Sequence, residues 1–519
     1  MQRKLKLLES TFWFALVTHG IGLLTMAALV LPGMPGGPVP DAERIQYVAE
    51  NQLLWQVGWL PWQLSALSDF LIAIAILQIK DLPFYLRALV MLATLFAIAP
   101  DQCGQIIWVR DGSRVATLAI AKDNLPMYLN FEHPLYEMVC GWAALFYSVL
   151  AAFWTLALKP ILNASRTFYI FSWSIWALSG VCAVLFLLSS IIPIPFLVLA
   201  VANAVFFPLL LLWFAWVIEY LLKLQRPEQQ WGRHSIWTLP KTVPFRFLFQ
   251  IIGQSHFFKR IFELLRPISL ASEIDGVVYV NYLVEYERLL PLVPAHLELQ
   301  RLGPEGKYAL FTILSFRHKQ FGPQMLPPFR KTLNLQAVVS NWRIHVRDPE
   351  TKLEGIHFVA NVTDNVIVSL AARLLSEGMP MHVAESAGTE IAEGKYKVNL
   401  PPAEGSSAAD LIADLELDDG QASLEEPWSL CFKDYNDFLN YCVPQDRAIA
   451  SQPHLERISF QEIRLGIPLD KCRPLKGAVK SAAAESIVGK ATPLCFAAPS
   501  LQFRFDREHY RSCKAEQLG

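Results

Sequence analysis

The sequence predicts a multi-domain protein: an N-terminal α-helical transmembrane bundle of about six spans, then a C-terminal β-rich α+β domain. Three observations predict it. Of 519 residues, 53% are hydrophobic and only 18% charged, whereas an average soluble domain carries roughly 25% charged residues. Six apolar stretches of spanning length precede residue 226, and from residue 272 the hydrophobic pattern changes to period two.

A hydrocarbon core about 30 Å thick needs roughly 20 helical residues at about 1.5 Å each. The stretches 11–32, 52–79, 84–108, 136–158, 167–192 and 195–224 meet that length. The Pro-rich run Ile191-Ile192-Pro193-Ile194-Pro195 separates the last two as a surface turn. The first stretch exceeds a signal-peptide core, and Pro32-Gly33-Met34-Pro35 makes a poor cleavage site, so it reads as a span.

Basic residues near the spans set orientation. Arg3, Lys4, Lys6, Lys80, Arg87, Lys159, Arg166, Lys223, Arg226 and Arg233 fall on one face of a six-span chain. The opposite face has Asp41, Glu43 and Glu50 in its first loop and a mixed second loop with Arg110, Asp111, Arg114, Lys122 and Asp123. Both termini are expected to be cytoplasmic, with the lipid bilayer as partner. The 45 basic and 46 acidic residues nearly balance, which gives no field for a nucleic acid. Eight scattered cysteines without a C-x-x-C pair fit reduced cytosolic thiols.

Charge at mid-bilayer costs at least about 2.5–3.5 kcal/mol on insertion scales, so polar residues in the spans are candidates for function. Asp69 lies well inside the second span, and Asp101 and Gln105 share a face of the third. Glu132, His133 and Glu137 stand at the entry to the fourth. Trp55, Trp59 and Trp62 stripe one helical face and are expected as an aromatic belt at the membrane surface. Gln63, Asp101, Gln105, His133 and Glu137 would make an outward-facing polar cavity, a metal or proton site; hydrated headgroup-level residues are the simpler reading. No inverted repeat of the transporter kind is evident.

Residues 1–225 thus form the bundle and 226–271 a linker carrying an amphipathic helix. In that helix Phe258, Ile261, Phe262 and Leu265 share a face beside Lys259 and Arg260. It suits the cytoplasmic leaflet surface or packing on the domain that follows. Residues 272–519 form that soluble domain. Strand runs are expected from Gly276 and at 307–317, 332–346, 355–362, 456–466 and 495–505. Helices are expected at 285–292, 365–377 and 433–442, a hairpin through 383–400 and a loop at 402–409.

The order of Glu287-Arg288-Leu289-Leu290-Pro291, Ser315-Phe316-Arg317, the strand to Val346, Gly355-Ile356-His357-Phe358, Ala372-Arg373 and Gly378-Met379-Pro380 resembles the acetoacetate-decarboxylase-like superfamily, and within it the DUF2071 branch. The resemblance covers about residues 272–510 and implies a β-cone or closed barrel around a small apolar cavity. It also implies a departure. Where the decarboxylases have Arg-Glu and then Pro-Lys-Lys, this chain has Arg373-Leu374 and then Pro380-Met381-His382. Schiff-base chemistry needs an activated lysine amine, so imine-based decarboxylation is not expected. Lys395 on the next strand is most simply a solvated residue.

The remaining candidates near the cavity mouth are His382 and Glu385 as an acid–base pair, with Arg373, His357 and Met381 touching a ligand. A structural histidine and a surface-paired arginine are the simpler alternatives. His345 and His357 lack metal-ligand spacing, so no metal is expected, and no cofactor. Three functions stay open. The first is a membrane-anchored cytoplasmic protein binding a small apolar or carboxylate ligand. The second is an enzyme acting through His382 and Glu385 on a small carboxylate or lipid-derived substrate. The third is a transporter or sensor working through the bundle. The sequence leaves the oligomeric state open.

Overall fold

The computed structural model describes residues 2–35, 39–188, 196–225, 235–263, 269–294, 296–325, 327–333, 335–376, 378–418, 424–443, 446–452 and 457–512. The chain divides into two compact units, Met1–Arg226 and Pro227–Gly519.

The first unit is helical. Its elements are α1 (Gln2–Thr25), α2 (Asp41–Glu50), α3 (Gln52–Leu77), α4 (Phe84–Ala121), α5 (Leu125–Tyr136), α6 (Ala144–Leu162), α7 (Arg166–Leu188) and α8 (Phe196–Gln225). Six runs among the described residues are long and apolar enough to cross a membrane: Arg3–Gly33, Gln52–Leu77, Phe84–Ala121, Leu125–Leu162, Arg166–Leu188 and Ala204–Gln225. The third and fourth are longer than their hydropathy predicts. The 38 residues of α4 extend about 57 Å at about 1.5 Å each, well beyond a hydrocarbon core. Of the mixed charges expected in a loop, Arg110, Asp111 and Arg114 therefore stand on helix, with Arg110 and Arg114 paired to Asp111 at 2.6 and 3.2 Å, while Lys122 and Asp123 follow its end. Hydropathy reports the solvent a helix meets and not where its backbone stops.

The bundle's outer faces are apolar, with Leu64, Leu67, Leu92, Leu95, Phe96, Val149, Ile170 and Val181 all exposed. Polar side chains turn inward and tie helices together. Trp213 Nε1 donates to Ser172 Oγ and Trp176 Nε1 to Thr155 Oγ1, both at 2.9 Å. Ser148 Oγ donates to Ser179 Oγ at 2.8 Å. The tryptophan stripe also turns inward, contrary to the expected belt. Trp55 and Trp59 are buried and pack on Trp108, with ring centroids 5.8 and 5.4 Å away. The reason lies in α2 and the extended ends of α4 and α5, which cover that face and form a core with Ile45, Val48 and Tyr128. Arg44 of α2 is locked into this cap by Glu132 Oε2 and Asp41 Oδ1, each at 2.7 Å.

Among the described residues the second unit has fourteen strands: β1 (Leu270–Glu285), β2 (Glu298–Leu299), β3 (Tyr308–Pro323), β4 (Ala337–Arg347), β5 (Glu354–Thr363), β6 (Met381–Val383), β7 (Gly388–Ala392), β8 (Lys395–Leu400), β9 (Leu411–Leu417), β10 (Arg447–Gln452), β11 (Arg457–Arg464), β12 (Arg473–Lys480), β13 (Leu494–Ala498) and β14 (Leu501–Ser512). The neighbours β1-β3-β4-β5-β10-β11-β14 close into a ring because β14 also pairs with β1. Closure removes the exposed edges of an open sheet. One strand serves two partners: Leu270–Ile274 of β1 pairs with β14, and Val277–Asn281 with β13. Between them lies Gly276, at φ +64°, a conformation open to glycine at little cost. From β13 the sheet continues outward through β12, β9, β8 and β7.

The expected strands and helices recur with two differences. The run 332–346 begins as the end of a helix, Pro327–Leu333, and becomes strand only at Ala337. The run 495–505 is two strands, β13 and β14. The stretch read as a linker lies partly outside the described residues, but from Ser235 onward it packs within the second unit. Trp237 and Leu239 are buried with Val383, and Thr238 N donates to Ser407 Oγ at 3.0 Å. The aromatic segment forms α9 (Arg246–Gln254) and α10 (His256–Glu263). Phe247 and Leu248 are exposed and Lys259 is buried; Leu265 lies outside the described residues.

Candidate functional site

A cavity of about 590 Å³ opens among the helices of the first unit, within the range of small-molecule sites. Its wall is mostly aromatic and aliphatic, including Trp59, Trp62, Trp154, Trp176, Phe207 and Phe214. Against that wall stand Asp69 from α3, Asp101 and Gln105 from α4, and Tyr147 from α6. The register of α3 brings Trp59, Trp62, Ser65 and Asp69 to the cavity at helical spacing.

Asp101 is well held. Gln105 Nε2 donates to its Oδ1 at 2.7 Å, and Tyr147 Oη and Gln102 Nε2 donate to Oδ2, both at 3.1 Å. Asp69 is also buried, yet its Oδ1 has no hydrogen-bond partner among the described residues. Gln105 Oε1 and the indole nitrogens of Trp59, Trp62 and Trp154 lack partners too. Unpaired buried polar groups each cost about 1–3 kcal/mol, and here they gather around one void. Two π-helical turns border the same space. Met26–Val30 contributes Met26 and Ala27, and Glu137–Ala143 contributes Val139 and Cys140. Such turns break regular helical bonding and concentrate at functional sites. Gly104 permits the second: a Cβ there would lie 2.6 Å from Val139 Cγ2.

The structure thus joins Asp69, Asp101 and Gln105, and leaves His133 and Glu137 apart from them. Those two pair at 3.5 Å with His133 two-thirds exposed, and neither they nor Gln63 line the cavity. Among the described residues no three His, Cys, Asp or Glu side chains form a metal-holding group. Composition could not show Tyr147 and Trp154 of α6 or His19 of α1, which tertiary packing brings to the cavity. The spacing of Trp59, Trp62 and Asp69 is the one signal that points to their shared face.

The barrel candidates are arranged differently. Arg373, on the helix Val366–Leu375, is fully buried. Its Nε donates to Met381 O at 2.6 Å, its Nη2 to Ser235 Oγ at 3.2 Å, and its Cζ lies 5.4 Å from the Trp237 ring centroid. Burial pulls its pKa down to about 9. His382 is buried beside it, held well below the ordinary histidine range by burial and then by the Arg373 charge. Being neutral, His382 accepts at Nε2 from Arg373 Nη2 (3.3 Å) and donates from Nδ1 to Ser407 Oγ (2.8 Å). Its two ring nitrogens are engaged in packing Ser235–Leu239 onto the barrel. Glu385 is exposed, so the two do not form a buried pair. His357 is buried on β5 with Nδ1 3.0 Å from Ile449 O, and Met381 lies in an apolar core with Val368 and Phe438. Among the described residues of 269–512 no lysine is buried, and Lys395 is exposed.

The fold and cavity define a protein of two parts: a helical unit fit for an apolar solvent and a closed β-barrel α+β unit. Residues 272–429 match the DUF2071 family, described as an uncharacterized conserved protein, in keeping with the resemblance read from the residues. Solved structures similar to the chain include an acetoacetate decarboxylase-like enzyme from Sphingomonas wittichii RW1, at 10% identity over 48% of this chain and 94% of that one, with a TM-score of 0.33. An acetoacetate decarboxylase from Legionella pneumophila is 10% identical over 47% of this chain and 87% of that one, with a TM-score of 0.32. The enduracididine biosynthesis enzyme MppR is 10% identical over 48% and 88%, also with a TM-score of 0.32. No curated protein matches significantly.

Proposed function

We propose that this is a six-span, membrane-anchored small-molecule-binding protein with both termini in the cytoplasm, and that its ligand occupies the cavity of the helical unit. The observation that carries the reading is the convergence of Asp69, Asp101 and Gln105 on an otherwise apolar void. Exposed leucines, valines and phenylalanines around the bundle support the membrane. The wall fits an apolar body, and the carboxylates fit a cationic or hydrogen-bond-donating head. Acid–base catalysis by His382 with Glu385 gains no support from their placement.

Native mass spectrometry of the full chain, released from lipid nanodiscs, tests the proposal. A small apolar adduct retained by the wild type and lost in Asp69→Asn supports it. Adducts identical in wild type, Asp69→Asn and Asp101→Asn, or none from any membrane extract, would overturn it.

A further inference from the structure

The cavity of the helical unit carries two carboxylates and no permanent cation. Among the described residues its wall holds Asp69 and Asp101 but neither lysine nor arginine. The two stand near enough to interact as charges, and carboxylates taken out of water are ordinarily paired or neutralised. Asp101 is held by neutral donors, the side-chain amides of Gln105 and Gln102 and the Tyr147 hydroxyl. Asp69, 4% exposed, lacks even those: its Oδ1 has no partner among the described residues, and neither has Gln105 Oε1. His19, the basic side chain of the wall, turns Nδ1 to Ala15 O at 2.9 Å and packs on the Phe214 ring, with centroids 5.1 Å apart.

The groups left open around Asp69 select the partner's chemistry. A carboxylate and an amide oxygen are acceptors, so the partner must bring positive charge together with N–H groups. A quaternary ammonium has the charge without the donors. For a bare metal ion the oxygens are too few, since no third His, Cys, Asp or Glu among the described residues joins Asp69 and Asp101 in a metal-holding group. The indoles of Trp59, Trp62 and Trp154 donate to neither carboxylate, their Nε1 atoms being unpartnered, while indole faces attract cations. The register of α3 sets a length. Trp62 and Asp69 stand roughly two turns apart on one face, about 10 Å along the axis, and Trp62 meets Phe207 edge-on at 5.0 Å.

We infer that the ligand is a protonated primary amine whose ammonium meets the Asp69 carboxylate and Gln105 Oε1, and whose apolar body extends to Trp62 and Phe207. This rests on the ligand-binding role proposed above for the cavity and names the class of its ligand. No covalent step is involved.

Tritiated phenylbutylamine, bound at equilibrium to the full chain in lipid nanodiscs and corrected for empty nanodiscs, provides the test. Saturable binding is expected in the wild type. Phenylbutanol, which lacks the charge, and the trimethylammonium analogue, which lacks the N–H groups, should each compete about tenfold or more weakly than the unlabelled amine. Asp69→Asn should reduce affinity for the amine by about tenfold or more; if that variant does not fold, the three competitors on the wild type carry the test. Equal competition by amine and alcohol, or an affinity unchanged in Asp69→Asn, would overturn the ammonium assignment while leaving the cavity as a binding site. Binding of the amine that never saturates would overturn it as well, and the adduct measurement described above then decides separately whether the cavity holds a ligand.

Discussion

Replacing Arg44 by methionine removes one partner of a buried ion pair while preserving much of the side-chain volume. Arg44 and Glu132 are 2% and 3% exposed and 2.7 Å apart. Asp41, the other carboxylate on Arg44, is 56% exposed and contributes little. The loss is therefore dominated by Glu132 left buried without its cation, which costs about 3–5 kcal/mol. The double variant Arg44→Met with Glu132→Leu removes both charges and should return to within about 1–2 kcal/mol of wild type, because desolvating the pair offsets most of its attraction. Denaturant unfolding of the full chain in detergent, followed by tryptophan fluorescence, reads both effects, since Trp55, Trp59 and Trp108 belong to the same cap. A single variant within about 1 kcal/mol of wild type, or a double variant as unstable as the single, would refute the argument that this pair locks the cap.

Three further outcomes follow from the second unit. Burial lowers the pKa of His318 and His345 to about 3 and of His357 to about 4, from 6.5. The unfolded chain thus binds more protons between those values, so barrel stability should be full above about pH 6.5 and fall as pH drops toward 4. Each site contributes at most about 1.4 kcal/mol per pH unit, and His357→Gln should flatten the measured dependence by one such slope. Incubation with a 3-oxo acid and cyanoborohydride should leave the intact mass unchanged, because no lysine is buried among the described barrel residues; a reduced adduct on a barrel lysine would restore the imine reading. Gly253→Ala would place a Cβ 2.2 Å from the Trp237 ring, and overpacking of this kind costs about 1–3 kcal/mol. Faster proteolysis near α9 in that variant is the expected result.

The sequence by itself determined the two compositions and the two periodicities. Apolar runs of spanning length and strands of period two are local properties, so the six apolar helices and the strands around Val280, Ile313 and Ile344 were legible residue by residue. That Pro380-Met381-His382 carries no lysine could also be read, because those residues stand in the chain whatever its fold. Tertiary structure alone decided which faces meet. Trp55, Trp59 and Trp62 have the same spacing in a surface belt as in an interior wall, and α2 with the ends of α4 and α5 turned them inward. Asp69 found Asp101 across two helices, while His133 and Glu137 stayed outside. His382 was expected to work with Glu385 as acid and base and Arg373 to meet a ligand, but His382 and Arg373 form a packed joint in which Ser235 and Ser407 are their partners. Burial and pairing depend on contacts between distant segments, and those are set by packing rather than by local pattern.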